Sequence, residues 1–342
     1  MSLYCGIDLH STNHLVVIID EEDRRVLEKR LANEVSITID TLSPYRDQLA
    51  GIAIESTFNW YWLIDGLEDA GFSPCLVNPA AIKQYEGLKY TDDPYDAFYL
   101  AKLMRLGILP TGHIYPREQR GVRDLLRRRL SMVRMSTGLL LAVQSQIWRS
   151  TGVNISSNQI RQANFELPLP QGPVREGAAS QWRLFQRTQD EVQRLEKLAL
   201  ELYRGEENYQ LLQTVKGIGV ILGLTIGLET GSISRFNTAG NYASYCRCVN
   251  SERISNGKKK GENNRKAGNR YLSWAFHEAA HFALRFEPKV QRFYERKRQK
   301  RNRIVAIPRG GAQTRKSGVP HVKTSPTVRF GSSVWLRFGR CR

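Results

Sequence analysis

The sequence predicts a fold class of α/β plus all-α, with a mixed sheet-and-helix unit first and mainly helical segments after it. Three observations predict this. Up to residue 110, short apolar runs of strand length alternate with stretches of helical spacing. From 117 to 203, apolar residues recur at helical spacing over two long stretches. The chain, 342 residues and 41% hydrophobic, is long enough to bury more than one core and too apolar to be disordered.

In order, 3–8 and 14–19 are strand-like runs, and 25–31 alternates charged and apolar residues as a third strand. Helical spacing follows at 37–49. A short apolar strand occupies 51–55, a helix closed by Gly71 spans 60–70, a strand lies at 73–77, and a helix at 93–106. Three strands, helix, strand, helix, strand, helix is the element order of a ribonuclease-H-like fold.

A long helix, basic at its start, is expected at 117–148, a polar loop at 154–173, and a second helix at 181–203. Two long helices joined by a loop predict an antiparallel pair or a dimerising arm. Residues 211–228 contain Val215-Lys216-Gly217-Ile218-Gly219. This is either a helix-hairpin-helix-like turn, whose glycines let N–H groups approach a phosphate, or an ordinary turn between core helices. Residues 255–270 are polar and rich in Gly and Lys, hence an exposed loop, and 271–286 form an apolar helix. After Ile307, Gly, Ser, Pro and Arg dominate, which predicts a basic, poorly ordered tail. The expected domains are 1–112, 113–207, 208–307 and 308–342.

Charge is lopsided. Residues 1–252 carry 27 Lys+Arg against 29 Asp+Glu, whereas 253–342 carry 24 against 4. A block this basic points to a polyanion, nucleic acid first. Lys216, Gly217, Gly219, Lys258, Lys259, Lys260, Arg265, Lys266 and Arg270 are the candidate nucleic-acid contacts. Five scattered cysteines, no long apolar run and no signal-like start predict a cytoplasmic protein with no membrane span.

Asp8 ends the first strand and Glu55 a later one, both poor positions for packing. Asp93 and Asp96, three apart at a helix start, share one face. Asp92 rivals Asp93, and either Asp93 or the quartet's other members could be caps or surface residues. Four converging carboxylates repel one another unless cations neutralise them. Hard oxygen ligands suit Mg²⁺ or Mn²⁺, which serve phosphoryl displacement.

Gly6-Ile7-Asp8, Ile54-Glu55 and Thr91-Asp92-Asp93-Pro94-Tyr95-Asp96-Ala97 resemble the DEDD motif of the IS110 family of insertion-sequence transposases. Leu212 to Gly219, Arg235-Phe236, Ser255-Asn256-Gly257 and Gly268-Asn269-Arg270-Tyr271-Leu272 resemble that family's second conserved domain. Cys246-Arg247-Cys248-Val249 and the Gly257–Gly261 lysine run look closest to its branch with subterminal inverted repeats. The resemblance spans about residues 3 to 307. It implies a RuvC-like N-terminal domain with metal-binding acids at Asp8, Glu55, Asp93 and Asp96. It also implies a long coiled-coil arm for assembly, and a C-terminal domain whose Ser255 joins a composite site across a dimer. Members are recombinases guided by a structured bridge RNA that pairs with donor and target DNA. A homo-oligomer, dimer or tetramer, is implied. Ser255 sits in a polar segment beside Gly257 and Lys258, and Ser251 is its nearest rival; a serine hydroxyl needs activation by a base or metal. Beyond Ile307 the chain departs from the family's usual helix.

His277-Glu278-Ala279-Ala280-His281 fits a zinc-peptidase signature, but no third ligand is evident and the surrounding helix reads as core. Cys246 and Cys248 are too close and too few for a structural zinc site. Two other functional readings compete with recombination: a RuvC-like hydrolytic nuclease acting on branched DNA, and a non-catalytic RNA-binding assembly protein.

Overall fold

The computed structural model describes residues 2–82, 93–249, 252–262 and 267–300. The chain divides into two compact units, one reaching to Arg117 and one beginning at Glu118.

The first unit carries a sheet of β1 (Leu3–Leu9), β2 (Asn13–Ile19), β3 (Arg25–Ala32), β4 (Leu49–Ile54) and β5 (Pro74–Leu76). The strand order is β3-β2-β1-β4-β5. β1, β2 and β3 pair antiparallel, while β1, β4 and β5 pair parallel. Among the described residues, four α-helices accompany them: α1 (Val35–Leu42), α2 (Tyr61–Asp69), α3 (Pro79–Ile82) and α4 (Asp93–Arg105). This mixed α/β arrangement is compatible with a RuvC-like domain.

Side-chain alternation assigns each strand residue to one of two layers. Leu3, Cys5, Ile7 and Leu9 pack with Ile52, Ile54, Leu63 and Leu67 on the α1–α2 side. Leu15, Val17 and Ile19 pack with Ala97 and Ala101 of α4 on the other. Ala53 joins Leu100 on that second side. Gly6 and Asp8, one residue out of step with Ile7, therefore belong to the α4 face. Glu55, one past Ile54, follows the same phase. β3, an edge strand, exposes Arg25, Lys29 and Arg30, charges that discourage further strand pairing.

The helix expected at 37–49 is shorter. α1 ends at Leu42, and Ser43–Gln48 is a 3₁₀ turn with Pro44 near its start. Proline offers no N–H to continue the α-helical ladder, and Leu49 then opens β4.

The second unit contains α5 (Arg117–Thr151, its first residue at the boundary), α6 (Ser157–Ile160), α7 (Pro173–Tyr203), α8 (Glu207–Gln213), α9 (Val220–Thr230) and α10 (Ala239–Tyr245). A hairpin of β6 (Glu252–Ser255) and β7 (Lys258–Glu262) follows, then α11 (Arg270–Phe286) and α12 (Pro288–Lys300). α5 and α7 run antiparallel: Arg129 bonds Glu196, Ser136 bonds Gln189, and Gln146 bonds Gln181. Leu140, Val143 and Ile147 pack against Ala178 and Phe185 between them. α7 starts eight residues before the expected 181, with Pro173 at its first position, where a missing N–H costs nothing. α9 is buried from Leu222 to Thr230 and is the central helix of its unit.

The stretch expected as an open loop at 255–270 begins instead within a hairpin. Asn256 and Gly257 both have positive φ, 50° and 68°, as a tight two-residue turn between strands requires. Among the described residues, no helix is long and apolar enough to cross a membrane.

Candidate active site

The alternation just described delivers Asp8 and Glu55 to one face of the sheet. Asp8 is 3% exposed. The Glu55 N–H donates to the Ile7 carbonyl at 3.1 Å, which extends the parallel pairing of β1 and β4 by one residue. α4 can approach this face closely because Gly6 has no side chain. A Cβ there would lie 1.9 Å from the Ala97 carbonyl oxygen. The close contact brings the first turn of α4, with Asp93 and Asp96, to the ends of the strands.

The electrostatics record the crowding. Burial pushes the Glu55 carboxyl up to about 7, helped by the hydrogen bond and charge of Asp8 and by the charge of Asp96. Asp93, at the rim, moves the other way. The Arg30 guanidinium donates to its Oδ2 at 2.6 Å and holds it below the usual carboxylate range, with a contribution from His10. His10 Nε2 stands 3.4 Å from that oxygen and 3.2 Å from Asp8 Oδ2. The His10 loop is pinned from behind, since its carbonyl accepts from Asn33 Nδ2 at 3.0 Å and Asn59 Nδ2 at 3.1 Å.

These residues fit a divalent cation. One ligand atom from each of Asp8, His10 and Asp93 lies within 4.8 Å of the others. Glu55, raised first by burial and further by Asp8 and Asp96, is a carboxyl whose charged form a cation would favour. Carboxylate oxygens suit Mg²⁺ and Mn²⁺, and an imidazole beside them is acceptable to Mn²⁺.

The expected acids are linked but do not form one ligand group: Glu55 interacts with Asp8 and Asp96, and Asp8 groups with His10 and Asp93, a set that includes neither Glu55 nor Asp96. Asp92 lies outside the described residues, as do Ser251, Arg265, Lys266 and the tail at 308–342. Sequence reading passed over His10 and Arg30. His10 had a signal, being two residues after Asp8 and so in phase with it. Nothing local to Arg30 announces that an edge strand will meet the start of α4.

In the second unit, Ser255 is exposed at the end of β6 and pairs in register with Lys258. Lys258 and Lys260 are exposed beside it, and Lys259 lies in β7. Lys216 is in an ion pair with Glu287 at 3.5 Å, and Arg270 donates to the Tyr271 hydroxyl at 2.9 Å. Gly217, with φ 99°, packs against the backbone of α11, whereas Gly219 is the N-cap of α9 and opens onto free space. His277 Nδ1 lies 2.6 Å from the Ser273 carbonyl, and no group of three ligands among the described residues includes it or His281.

Residues 5–147 match the sequence profile of DEDD transposases of the IS110 type. Residues 209–295 match that of the transposase IS116/IS110/IS902 family. A probable family 20 transposase of Pseudomonas aeruginosa is 23% identical over 232 residues, covering 65% of this chain and 67% of that protein. The first profile runs across all four carboxylates and the second across the hairpin that carries Ser255, in that order along one chain: the protein belongs to the IS110/IS116 family of DEDD transposases.

Proposed function

We propose that this transposase cuts and rejoins DNA strands by transfer to a serine. Asp8, Glu55, Asp93 and Asp96 form the acid site, Ser255 is the nucleophile, and a structured RNA chooses donor and target DNA. The observation that carries the reading is the linked set of four carboxylates, from two strand ends and one helix start, where the Glu55 carboxyl is pushed up to about 7.

The chain's own groups divide the work. Asp8, Asp93 and His10, with Glu55 and Asp96 beside them, would hold Mg²⁺ or Mn²⁺. When bound, such an ion neutralises charge on phosphoryl oxygens and on the entering and leaving oxygens. Glu55, between Asp8 and Asp96, adds negative charge that a bound cation would neutralise. The Ser255 Oγ forms a bond to phosphorus as one ester P–O bond of the strand breaks. Its proton passes to a base, and the departing strand oxygen leaves as a hydroxyl. The phosphodiester is conserved as a serine ester, ready for rejoining. Lys258 and Lys260 flank the serine with positive charge for the strand's phosphates. An oligomer supplies enough acid sites to cut several strands, and the basic C-terminal block serves nucleic-acid backbones. If pairing with RNA selects the DNA, base-reading side chains are few.

The four acids all belong to the first unit, and that specific observation favours hydrolysis as the second reading. One experiment separates them. The protein with its element's RNA, Mg²⁺ and end-labelled DNA is assayed for an adduct that survives denaturation. Serine transfer gives an adduct in wild type and none with Ser255→Ala or Asp8→Ala. Free cleaved ends in wild type and Ser255→Ala, lost only with Asp8→Ala, mean hydrolysis.

A further inference from the structure

Phe58 is the most exposed large apolar side chain among the described residues, at 86%. It lies three residues after Glu55, in the connection between β4 and α2. Isolated apolar residues on a surface are ordinary. This one differs in how it is mounted.

The segment around it is tied down on both sides. The Thr57 N–H donates to the Glu55 carbonyl at 3.0 Å. The Thr57 hydroxyl donates to Asn59 Oδ1 at 2.9 Å. Asn59 Nδ2 donates to the carbonyl of His10, whose ring stands beside Asp8 and Asp93. Trp60, directly after, is buried in the α1–α2 core and anchors the far end. A phenyl ring is thus held out into solvent by a braced loop tied to Glu55 and His10 at the acid site and to the α1–α2 core through Trp60. Three peptide steps limit the Cα separation of Phe58 and Glu55 to about 11 Å. That span is comparable with the reach from a scissile phosphate to its neighbouring nucleotides.

A side chain with no polar atom gains nothing from water, and it makes no ion pair with phosphate. What it offers is a flat face. Base–aromatic stacking is the contact that a phenyl ring makes with a DNA strand whose bases are unpaired. Strand exchange requires such unpaired bases next to the cut.

Resting on the acid-site reading above, we infer that Phe58 is a base-stacking residue. It packs against an unpaired DNA base flanking the phosphodiester held by Asp8, Glu55, Asp93 and Asp96, and so sets where along the strand the cut falls.

The test uses the full-length protein with RNA and DNA in which 2-aminopurine is scanned through the bases around the cleavage point. Wild type, Phe58→Tyr, Phe58→Trp, Phe58→Leu and Phe58→Ala are compared. Stacking predicts a fluorescence change at one or two adjacent positions for Phe, Tyr and Trp, absent for Leu and Ala. KM rises about 10-fold or more for Ala and Leu and stays within a few-fold for Tyr and Trp. Melting temperature stays level, because the ring is already in solvent. The inference is overturned if Phe58→Ala keeps the wild-type fluorescence and cleavage. A fall of several degrees in melting temperature for Phe58→Ala, with unchanged fluorescence, also overturns it, by showing the ring covered by the chain itself. So does an aromatic-dependent signal in RNA and none in DNA. If no cleavage depends on Asp8, the acid-site reading fails by itself, and the fluorescence scan still decides the role of Phe58.

Discussion

Gly6 of β1 and Ala97 of α4 touch backbone to backbone. A Cβ on Gly6 would fall 1.9 Å from the Ala97 carbonyl oxygen and 2.8 Å from the Ala101 amide nitrogen. No flexible side chain can yield here, so helix and sheet would have to separate. Asp93 and Asp96 ride on that helix, and Asp8 is two residues from the glycine. Gly6→Ala is therefore expected to lower stability by about 3 kcal/mol, at the upper end for overpacking, and to abolish cleavage. Urea unfolding of the variant checks the first part. A midpoint equal to wild type would show that the sheet and α4 are not coupled as described.

Glu55 makes the metal-free protein pH-sensitive. Its folded-state carboxyl titrates near 7, against an ordinary value of 4.5. The native state therefore keeps a proton that the unfolded chain has already released. The resulting stability is fully present below about pH 4.5 and lost as pH rises through 7. Glu55 is only half-buried, so solvent screening keeps this contribution small. Asp93 runs oppositely: Arg30 depresses its titration, so its contribution is lost only in acid, below the ordinary carboxylate range. The two windows do not overlap. Thermal melts of chelator-treated protein should show a fall between pH 5 and pH 8, and Glu55→Gln should flatten it.

The sheet was legible because alternation by two is a local property, and the acids stood out as strand-end residues and by their likeness to the family's motif. Asp8 is out of step with Ile7, and Glu55 with Ile54, so both could be read as facing away from one core. The α4 acids were legible by three-residue spacing. The hairpin at Ser255 was not, although Asn256-Gly257 is a turn signal. Its strands, Glu-Arg-Ile-Ser and Lys-Lys-Lys-Gly-Glu, lack apolar alternation, so the polar run read as a loop. Arg30 and Glu229 were not legible for a different reason. Their partners are 63 and about 100 residues away, a separation that no local pattern encodes.

The two glycines of the turn between α8 and α9 should separate structure from binding. At Gly217 a Cβ would meet the Ala279 carbonyl oxygen at 2.7 Å and the Ala283 nitrogen at 2.8 Å, and φ is 99°. At Gly219 nothing lies within 4 Å and φ is −84°. Gly217→Ala is expected to destabilise the second unit by at least about 2 kcal/mol, through strain and overpacking. Gly219→Ala should leave stability within about 0.5 kcal/mol. If the turn receives a phosphate on its backbone, Gly219→Ala still weakens DNA or RNA binding at unchanged stability. Equal binding by Gly219→Ala and wild type would assign the turn to packing alone.

Glu229 is a buried acid in the last turn of the largely apolar helix α9, 2% exposed. Burial pushes its carboxyl up, but hydrogen bonds and charge from Arg127, the charge of Arg123 and the amide of Asn269 outweigh this and leave it below the usual range. Arg127 Nε and Nη2 reach its two oxygens at 2.6 and 2.8 Å, Arg123 Nε reaches one at 3.1 Å, and Asn269 Nδ2 reaches the same one at 2.7 Å. Asn269 works twice, because its Oδ1 also accepts from the N–H groups of Tyr271 and Leu272 at the start of α11. One carboxylate thus fastens α5, α9 and α11. Removing one member of such a cluster leaves buried charge uncompensated, which costs about 3–5 kcal/mol. Glu229→Gln is expected at that level, because two guanidiniums lose their anion. Asn269→Ala should cost about 2 kcal/mol, combining the lost cap with a lost hydrogen bond to a charged group. The double variant should fall short of the sum by a measurable coupling, since both changes break the same bond. Strict additivity in urea midpoints would show that the Glu229–Asn269 bond contributes nothing, leaving the arginine–Glu229 bonds and apolar contacts to hold the helices.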